Sequence, residues 1–485
     1  MAFIFNRQLS QKLYAATLRA FCSQTTGKPY WLSKFPDGQV RSFEEIPIIE
    51  ERYDARKIHE VSKGWFQKYG HVVRECMTDG TSCVHLYHFD DFRTVYYNDG
   101  TFPRRKSHRA IKQYRSERTD MYENVGLGAG DGAEWWMLRN LMAVGITEKI
   151  IRSLHPSLEE VADDLVKMLH IAASEGDVNM LPWLFRWAFE SIGVVTLNRR
   201  LNALSEYLDE EADKMVEAAD LTNEMIALTE VDWANYEKHY QRLVPAQDYM
   251  YFVILRYVHE ISAKGDSNCV VKTLLEQPNG SVKNAITLTM DIFQGALQTV
   301  PLTVLMALYN LARNKQVQDA AREELTKLLP LRDSKYFSIV KNFKYDIPPY
   351  LNGIVWETLR INPPIIGNRR VLQEDLILGG YIVPKGIHVI LHQQVACLLE
   401  ENFADPLKFN PERHPSPHMQ HLEYVFGARR RICFGKTFAL DQMALVIAKI
   451  LRDFEIVYDG EEVNMINRLH NKPEVPLYLR LFPLM

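Results

Sequence analysis

The stretch Phe426-Gly427-Ala428-Arg429-Arg430-Arg431-Ile432-Cys433-Phe434-Gly435 decides how the rest of the 485-residue chain is read. A single cysteine stands between Gly427 and Gly435, with Arg431 two residues before it. From Lys436 to Asp453, apolar side chains recur at Phe438, Leu440, Met443, Val446, Ile447 and Leu451, the spacing of one helix face. Cys433 therefore lies just upstream of a helix N-terminus. Amide hydrogens and the positive end of the macrodipole favour a thiolate there. Such a thiolate serves as a nucleophile or a soft metal ligand, and Arg431 adds a fixed positive charge suited to a carboxylate. The competing reading is a buried apolar cysteine in a glycine-containing turn. The glycines, the arginine and the following helix argue against it.

Hydrophobic residues make up 47% of the chain and charged residues 24%, ordinary proportions for a globular protein. A net charge of -4 gives no basic surplus, so nucleic acid is not expected as a partner. The six cysteines (Cys22, Cys76, Cys83, Cys269, Cys397 and Cys433) follow no pairing pattern, which fits a reducing compartment. No run approaches the ~18 apolar residues of a spanning helix. Residues 1–36 hold no Asp or Glu but carry Arg7, Lys12, Arg19, Lys28 and Lys34 among Ser, Thr, Ala and Leu. That composition reads as a mitochondrial transit peptide, assigned to residues 1–28, with a short disordered tail as the plainer alternative.

Further along, His71–Glu75, Ser82–His88 and Val95–Tyr97 read as strands. Cys76, Cys83, His85 and His88 do not have the spacing of a zinc module. The basic run from Arg104 to Arg118 reads as a solvated loop. Helical patterns cover 157–172, 181–195, about 207–228 and 246–263, the last two joined by a loop holding Trp233, Tyr236 and Tyr240. The longest helical pattern is 284–313, with Pro301 predicting a kink. His414, His418 and His421 are expected on a surface loop rather than in a metal site.

The decamer resembles the haem-binding loop of the cytochrome P450 family, the haem-thiolate monooxygenases. Phe426, Arg431, Cys433 and Gly435 match that pattern, while Arg429 occupies the place of its middle glycine. Glycine serves where φ must be positive, and an L-residue there costs roughly 1–2 kcal/mol. The remaining motifs follow in the family's order. Trp135 and Arg139 are four residues apart on one helix. Gly295, Ala296, Gln298 and Thr299 lie in the central helix. Glu357 and Arg360 precede Arg413 in Asn410-Pro411-Glu412-Arg413.

The resemblance implies a mainly α fold with small β-sheets, one domain over 29–485, and haem b between the central helix and the cysteine-loop helix. It implies Cys433 as axial ligand of the iron, with Gly435 in the same loop. Trp135, Arg139, Arg370 and Arg431 are implied on the haem propionates. Gly295 and Ala296 leave room above the iron, and Thr299 relays protons beside Gln298, which stands where an acid is usual. Glu357, Arg360 and Arg413 form a structural ionic network. Glu190-Ser191-Ile192-Gly193, followed by Arg200-Leu201, resembles the mitochondrial branch in particular.

For that branch the expected reaction is insertion of one oxygen atom from O2 into an apolar sterol-like or xenobiotic molecule. Electrons come from NADPH through a ferredoxin and its reductase, on the matrix side of the inner mitochondrial membrane, with peripheral contact to it. Where that branch usually has two basic residues for the ferredoxin, this chain has Asn352 and Trp356; Lys436, Arg429 and Arg430 lie near the cysteine loop. Two further readings stay open: a haem-thiolate protein that rearranges peroxides or senses a gas, and a non-catalytic lipid-binding member.

Overall fold

Ser281 sets the start of the longest helix. Its hydroxyl accepts a hydrogen bond from the Asn284 amide at 3.0 Å, which satisfies one of the free amides of the first turn. The helix then runs unbroken from Val282 to Arg313, passing through Pro301. Ile286, Leu288, Phe293, Leu297, Leu305 and Leu308 are all buried, the pattern of a helix enclosed by other elements. The computed structural model describes residues 29–77, 80–205, 210–263, 269–331, 335–338, 347–414 and 419–484. The expected transit peptide and His418 lie outside the described residues.

The helices of eight residues or more are α1 (Ile58–Tyr69), α2 (Phe89–Tyr97), α3 (Arg109–Ser116), α4 (Gly132–Gly145), α5 (His155–Glu175), α6 (Met180–Leu197), α7 (Glu210–Val231), α8 (Tyr236–Ala263), α9 (the central Val282–Arg313), α10 (Lys315–Leu328), α11 (Pro349–Ile361) and α12 (Lys436–Asp453). Central α9 packs against α6, α8, α11 and α12. Phe189 of α6 meets Phe293 of α9 edge to face at 5.7 Å.

The strands are β1 (Val72–Cys76), β2 (Ser82–Leu86), β3 (Val178–Asn179), β4 (Asn368–Val371), β5 (Leu376–Leu378), β6 (Tyr381–Val383), β7 (His388–Leu391), β8 (Phe454–Val457), β9 (Met465–Arg468), β10 (His470–Pro473) and β11 (Tyr478–Pro483). They form one four-stranded sheet, β1-β2-β7-β4, one three-stranded sheet, β3-β11-β8, and the pairs β5-β6 and β9-β10. The fold is mainly α with small sheets, as the sequence implied.

The Glu190 motif has a packing reason. Its buried carboxylate accepts from Arg200 Nε at 2.9 Å, from the Leu201 amide at 3.0 Å and from the Ala203 amide. A Cβ on Gly193 would stand 2.5 Å from Leu201 Cγ, so a larger residue would push the Arg200-Leu201 segment off α6.

Several local expectations are corrected. Val95–Tyr97 ends helix α2 instead of forming a strand. The His88 side chain caps the helix by accepting from the Asp90 amide, and buried Phe89, Phe92 and Tyr96 follow helical spacing. The basic run is not a solvated loop: residues 109–116 form α3, with Arg115 buried. Ile111, Tyr114 and Arg115 stand at i, i+3 and i+4 and share a face. Tyr236 and Tyr240 belong to α8, which starts ten residues earlier than the spacing suggested and runs through Pro245. His414 is buried rather than on a surface loop.

Its partner is Glu357. The Glu357 carboxylate accepts from Arg360 Nε and Nη2, both at 2.9 Å, and from Arg413 Nε at 2.9 Å. The Asn410 amide and His414 Nε2 each stand 3.0 Å from it. Burial pushes the Glu357 pKa up, but the hydrogen bonds from Arg360 and His414 prevail and hold it at about 2, below the ordinary 4.5. Its stabilising effect is complete above about pH 4.5 and is lost as pH falls towards 2. Glu357→Gln leaves two guanidinium groups without their counter-charge, a loss of about 3–5 kcal/mol for a broken buried pair. Denaturant unfolding at neutral pH is expected to show that loss. The variant's stability should also fall less steeply than the parent's between pH 4.5 and 2.

Candidate active site

The cysteine loop is closed by its own backbone. The Cys433 amide donates to the Phe426 carbonyl at 2.8 Å, and Gly427 turns the chain with φ of 75°. Phe426 packs edge-on against Trp356 of α11 at 5.8 Å. Arg429 adopts φ of 57°, so the left-handed conformation that suits glycine is kept although an arginine occupies it. Its guanidinium lies 4.6 Å from the Tyr97 ring, and that of Arg430 lies 4.8 Å from Trp136. These cation–π contacts offset part of the backbone strain.

Cys433 Sγ faces a cavity of about 520 Å³. The surface that Cys433 exposes is cavity wall. Burial pushes its thiol pKa up, while the Gly435 amide and the Arg139 guanidinium pull it down. The same cavity is lined by Gly295, Ala296 and Thr299 of α9, by Trp135 and Arg139 of α4, and by Gly435 at the start of α12. A Cβ on Gly295 would meet nothing within 4 Å; it would project into free space. Thr299 Oγ1 donates to the Gly295 carbonyl at 2.9 Å.

Two expected residues stand behind the wall. Gln298 is buried and does not line the cavity, because its side chain points about 100° around the helix from Thr299. Arg370 does not line it either. Consecutive strand residues face opposite ways, so Arg369 reaches the cavity while Arg370 turns to Asp99, with Nε 2.6 Å from Oδ2.

Arg431 reaches across to the chain before α4. Its Nε donates to the Pro103 carbonyl at 2.7 Å and its Nη2 to Asp131 at 2.8 Å, and its guanidinium stacks 4.2 Å from Trp135. Arg105, at the start of the basic run, also lines this wall. Burial and then Arg370 pull its pKa down to about 10. Burial and then Arg105 bring Arg431 to about 9. Buried cations here outnumber their carboxylates: Arg105, Arg370 and Arg431 share Asp99 and Asp131. Among the described residues, Arg105 Nε, Arg370 Nη2 and Arg431 Nη1 are buried without partners. A cavity with a thiol on one wall, an uncrowded glycine helix on another and unspent guanidinium donors at the rim fits a flat iron macrocycle with two carboxylates.

Other wall residues had no signal in the sequence. Asp291 of α9 is paired with Arg115 at 2.8 Å and accepts from the Leu127 amide at 2.6 Å. His108 and His470 both line the cavity, with pKa values lowered by burial to about 3 and 4. Arg115, which pairs with Asp291 and does not itself line the cavity, was recoverable from its place on the apolar face of α3.

The fold and this wall fit a haem enzyme of the monooxygenase class. The chain matches the cytochrome P450 family over residues 44–479, and it belongs to that family. It is 29% identical over 474 residues to cytochrome P450 302a1, mitochondrial, of Drosophila melanogaster, covering 94% of this chain and 96% of that one. It is 25% identical over 468 residues to ecdysone 20-monooxygenase of Drosophila melanogaster, covering 90% and 85%. It is 26% identical over 498 residues to the mitochondrial 1,25-dihydroxyvitamin D(3) 24-hydroxylase of Rattus norvegicus, covering 95% and 93%.

Arg429→Gly removes a left-handed L-residue worth roughly 1–2 kcal/mol of strain and adds glycine's chain entropy of roughly 0.5–1 kcal/mol. The variant is expected to be more stable by up to about 1 kcal/mol, read as a rise in Tm. An unchanged or lower Tm would mean that the Tyr97 contact more than offsets the strain.

Proposed function

We propose that this protein is a mitochondrial haem-thiolate monooxygenase. It adds one oxygen atom to an apolar small molecule of the sterol or steroid type, with electrons passed from NADPH through a ferredoxin reductase and a ferredoxin. The observation that carries this reading is Cys433 Sγ facing the same cavity as Gly295 and Thr299. Haem b, when bound, supplies the activation of O2, with one oxygen atom going to substrate and the other to water.

The roles of the chain's own residues follow. Cys433 would hold the iron, with the Gly435 amide directed at the sulfur. Trp135, Arg139 and Arg431 would take the propionates, and Arg105 and Arg369 join them on the strength of their place on the wall, while Arg370 stands behind them, paired with Asp99. Gly295 and Ala296 leave room for oxygen and substrate. Thr299 holds a hydroxyl proton at the cavity edge, bonded to the Gly295 carbonyl. Pro301 has no amide, so the Leu297 carbonyl lacks its helical donor and can accept from a water in a proton path. Gln298 acts from behind that turn. Glu357, Arg360 and Arg413 remain structural.

The mitochondrial setting rests on the names of the relatives, as does the steroid class. The enzyme would work on the matrix side of the inner membrane, with the α7–α8 junction against the lipid. For an acidic ferredoxin, exposed Arg429 and Arg430 are the available cations beside the cysteine loop. Lys436 is paired with Glu423 at 2.9 Å, and Trp356 is buried.

Reconstituted turnover tests the whole reading. NADPH-dependent oxygenated product is expected only when both the mitochondrial ferredoxin and its reductase are present. Equal activity with a microsomal reductase would overturn the donor assignment. Turnover with peroxide but not with reduced ferredoxin and O2 would overturn monooxygenation and favour peroxide rearrangement, the reading that Gln298 motivates.

A further inference from the structure

We propose that Asn223 is the anchor for an oxygen atom, hydroxyl or ketone, on an otherwise apolar substrate. The inference rests on the monooxygenase reading above and adds a specificity-determining residue to it.

Asn223 sits on α7 and is only 2% exposed. Its Oδ1 accepts from Gln294 Nε2 of α9 at 3.2 Å, while its Nδ2 has no partner among the described residues. Both carboxamides line the cavity that Cys433 faces. A buried amide donor left unmet is unfavourable. It is rare in a folded protein unless something else meets it, and the cavity that Asn223 lines is where a partner can come from. The cavity also has apolar lining, with Ile111, Ile192, Val195, Ile292 and Val300, while the carboxylate of Asp291, one turn before Gln294, is already held by Arg115 and the Leu127 amide. A carbon skeleton would rest on those side chains, and a single polar atom on it would find Asn223.

The position of Asn223 is fixed from two sides. Asp220 and Glu224 of the same helix are salt-bridged to Lys472 of β10 at 2.8 Å and to Arg468 of β9 at 3.2 Å. The turn between those strands carries Leu469 at φ of 72° and, with His470, reaches the cavity. Helix, hairpin and central helix are therefore tied together at the point where the amide is offered. Gln294 directly precedes Gly295 and lies five residues before Thr299. Anchoring an oxygen at Asn223 thus fixes how the rest of the skeleton lies along the Gly295–Thr299 face, and so which carbon is presented for oxidation. The substrate that follows is an apolar molecule already carrying one oxygen function at a distance from the carbon to be oxidised.

The test is a matched ligand set on the haem-loaded full chain: 5α-androstane, 5α-androstan-3-one and 5α-androstan-3β-ol. Binding is followed by the Soret shift of the ferric protein. The parent is expected to bind the two oxygenated steroids about tenfold or more tighter than the hydrocarbon. In Asn223→Leu, which keeps the branched shape and removes the donor, the preference is expected to fall below about twofold, with hydrocarbon binding unchanged or tighter. Asn223→Ser keeps a donor and is expected to retain part of the preference, which a packing defect would not produce. An equal preference in the parent and Asn223→Leu, no preference in the parent, or no shift with any of the three steroids would overturn the inference. The carbon monoxide spectrum of the same reduced samples separates the two levels. A thiolate-type band with no steroid preference sinks the anchor alone, and absence of that band sinks the monooxygenase reading beneath it.

Discussion

The carboxylate of Glu357 gathers Arg360, Arg413, His414 and the Asn410 amide at one buried point. These partners come from α11 and from a segment more than fifty residues later in the chain. Gathering them presses that segment on α11 so closely that a Cβ on Gly353 would stand 2.5 Å from the Pro411 carbonyl. Trp356, the residue before Glu357, then has its ring placed against Phe426, where the cysteine loop closes. Removing water from so many charges is tolerated because their hydrogen bonds are met: Arg360 and Arg413 share the carboxylate and spend their other donors on backbone carbonyls. The position of the sulfur is in this sense a consequence of a paired carboxylate two packing contacts away.

The cavity rim obeys the opposite rule. There Arg105 Nε, Arg370 Nη2 and Arg431 Nη1 are buried without partners among the described residues, and burial first, then the neighbouring guanidinium groups, lowers the pKa values of Arg105 and Arg431. Such an imbalance is unfavourable for a closed interior and natural for one that receives anionic groups. The same logic applies on a smaller scale at Asn223, where one unmet donor marks where a polar atom is received. Complete pairing at Glu357 marks structure; incomplete pairing around the cavity marks binding.

Much of this was legible in the sequence where the signal was local. The cysteine loop, the Trp135/Arg139 spacing, the Glu357/Arg360 pair and the apolar length of α9 each sit within a few residues of their own context. What was missed depended on distant partners. His414 reads as a loop histidine until Glu357, 57 positions away, is brought to it. Arg105 and Arg115 sit in a charge run of the kind that is usually solvated; only the position of Arg115 on the apolar side of α3 hinted otherwise. Arg370 turned away from the cavity and Arg369 reached it because strand parity, not proximity in sequence, decides which side chain meets the cavity. Val95–Tyr97 read as a strand because β-branched and aromatic residues cluster there, and an uncommon histidine cap at His88 made them a helix. Arg429 was recognised as a misfit in its motif, and the backbone keeps the glycine conformation despite it.

The central claim is that Cys433, as thiolate, is the protein's ligand to iron. The most direct measurement is the absorption spectrum of the purified, reduced protein under carbon monoxide, beside that of Cys433→His. The account predicts a strongly red-shifted Soret band for the parent protein and its loss in the variant. A parent spectrum typical of histidine-ligated or neutral thiol-ligated haem, unchanged by the substitution, would contradict it.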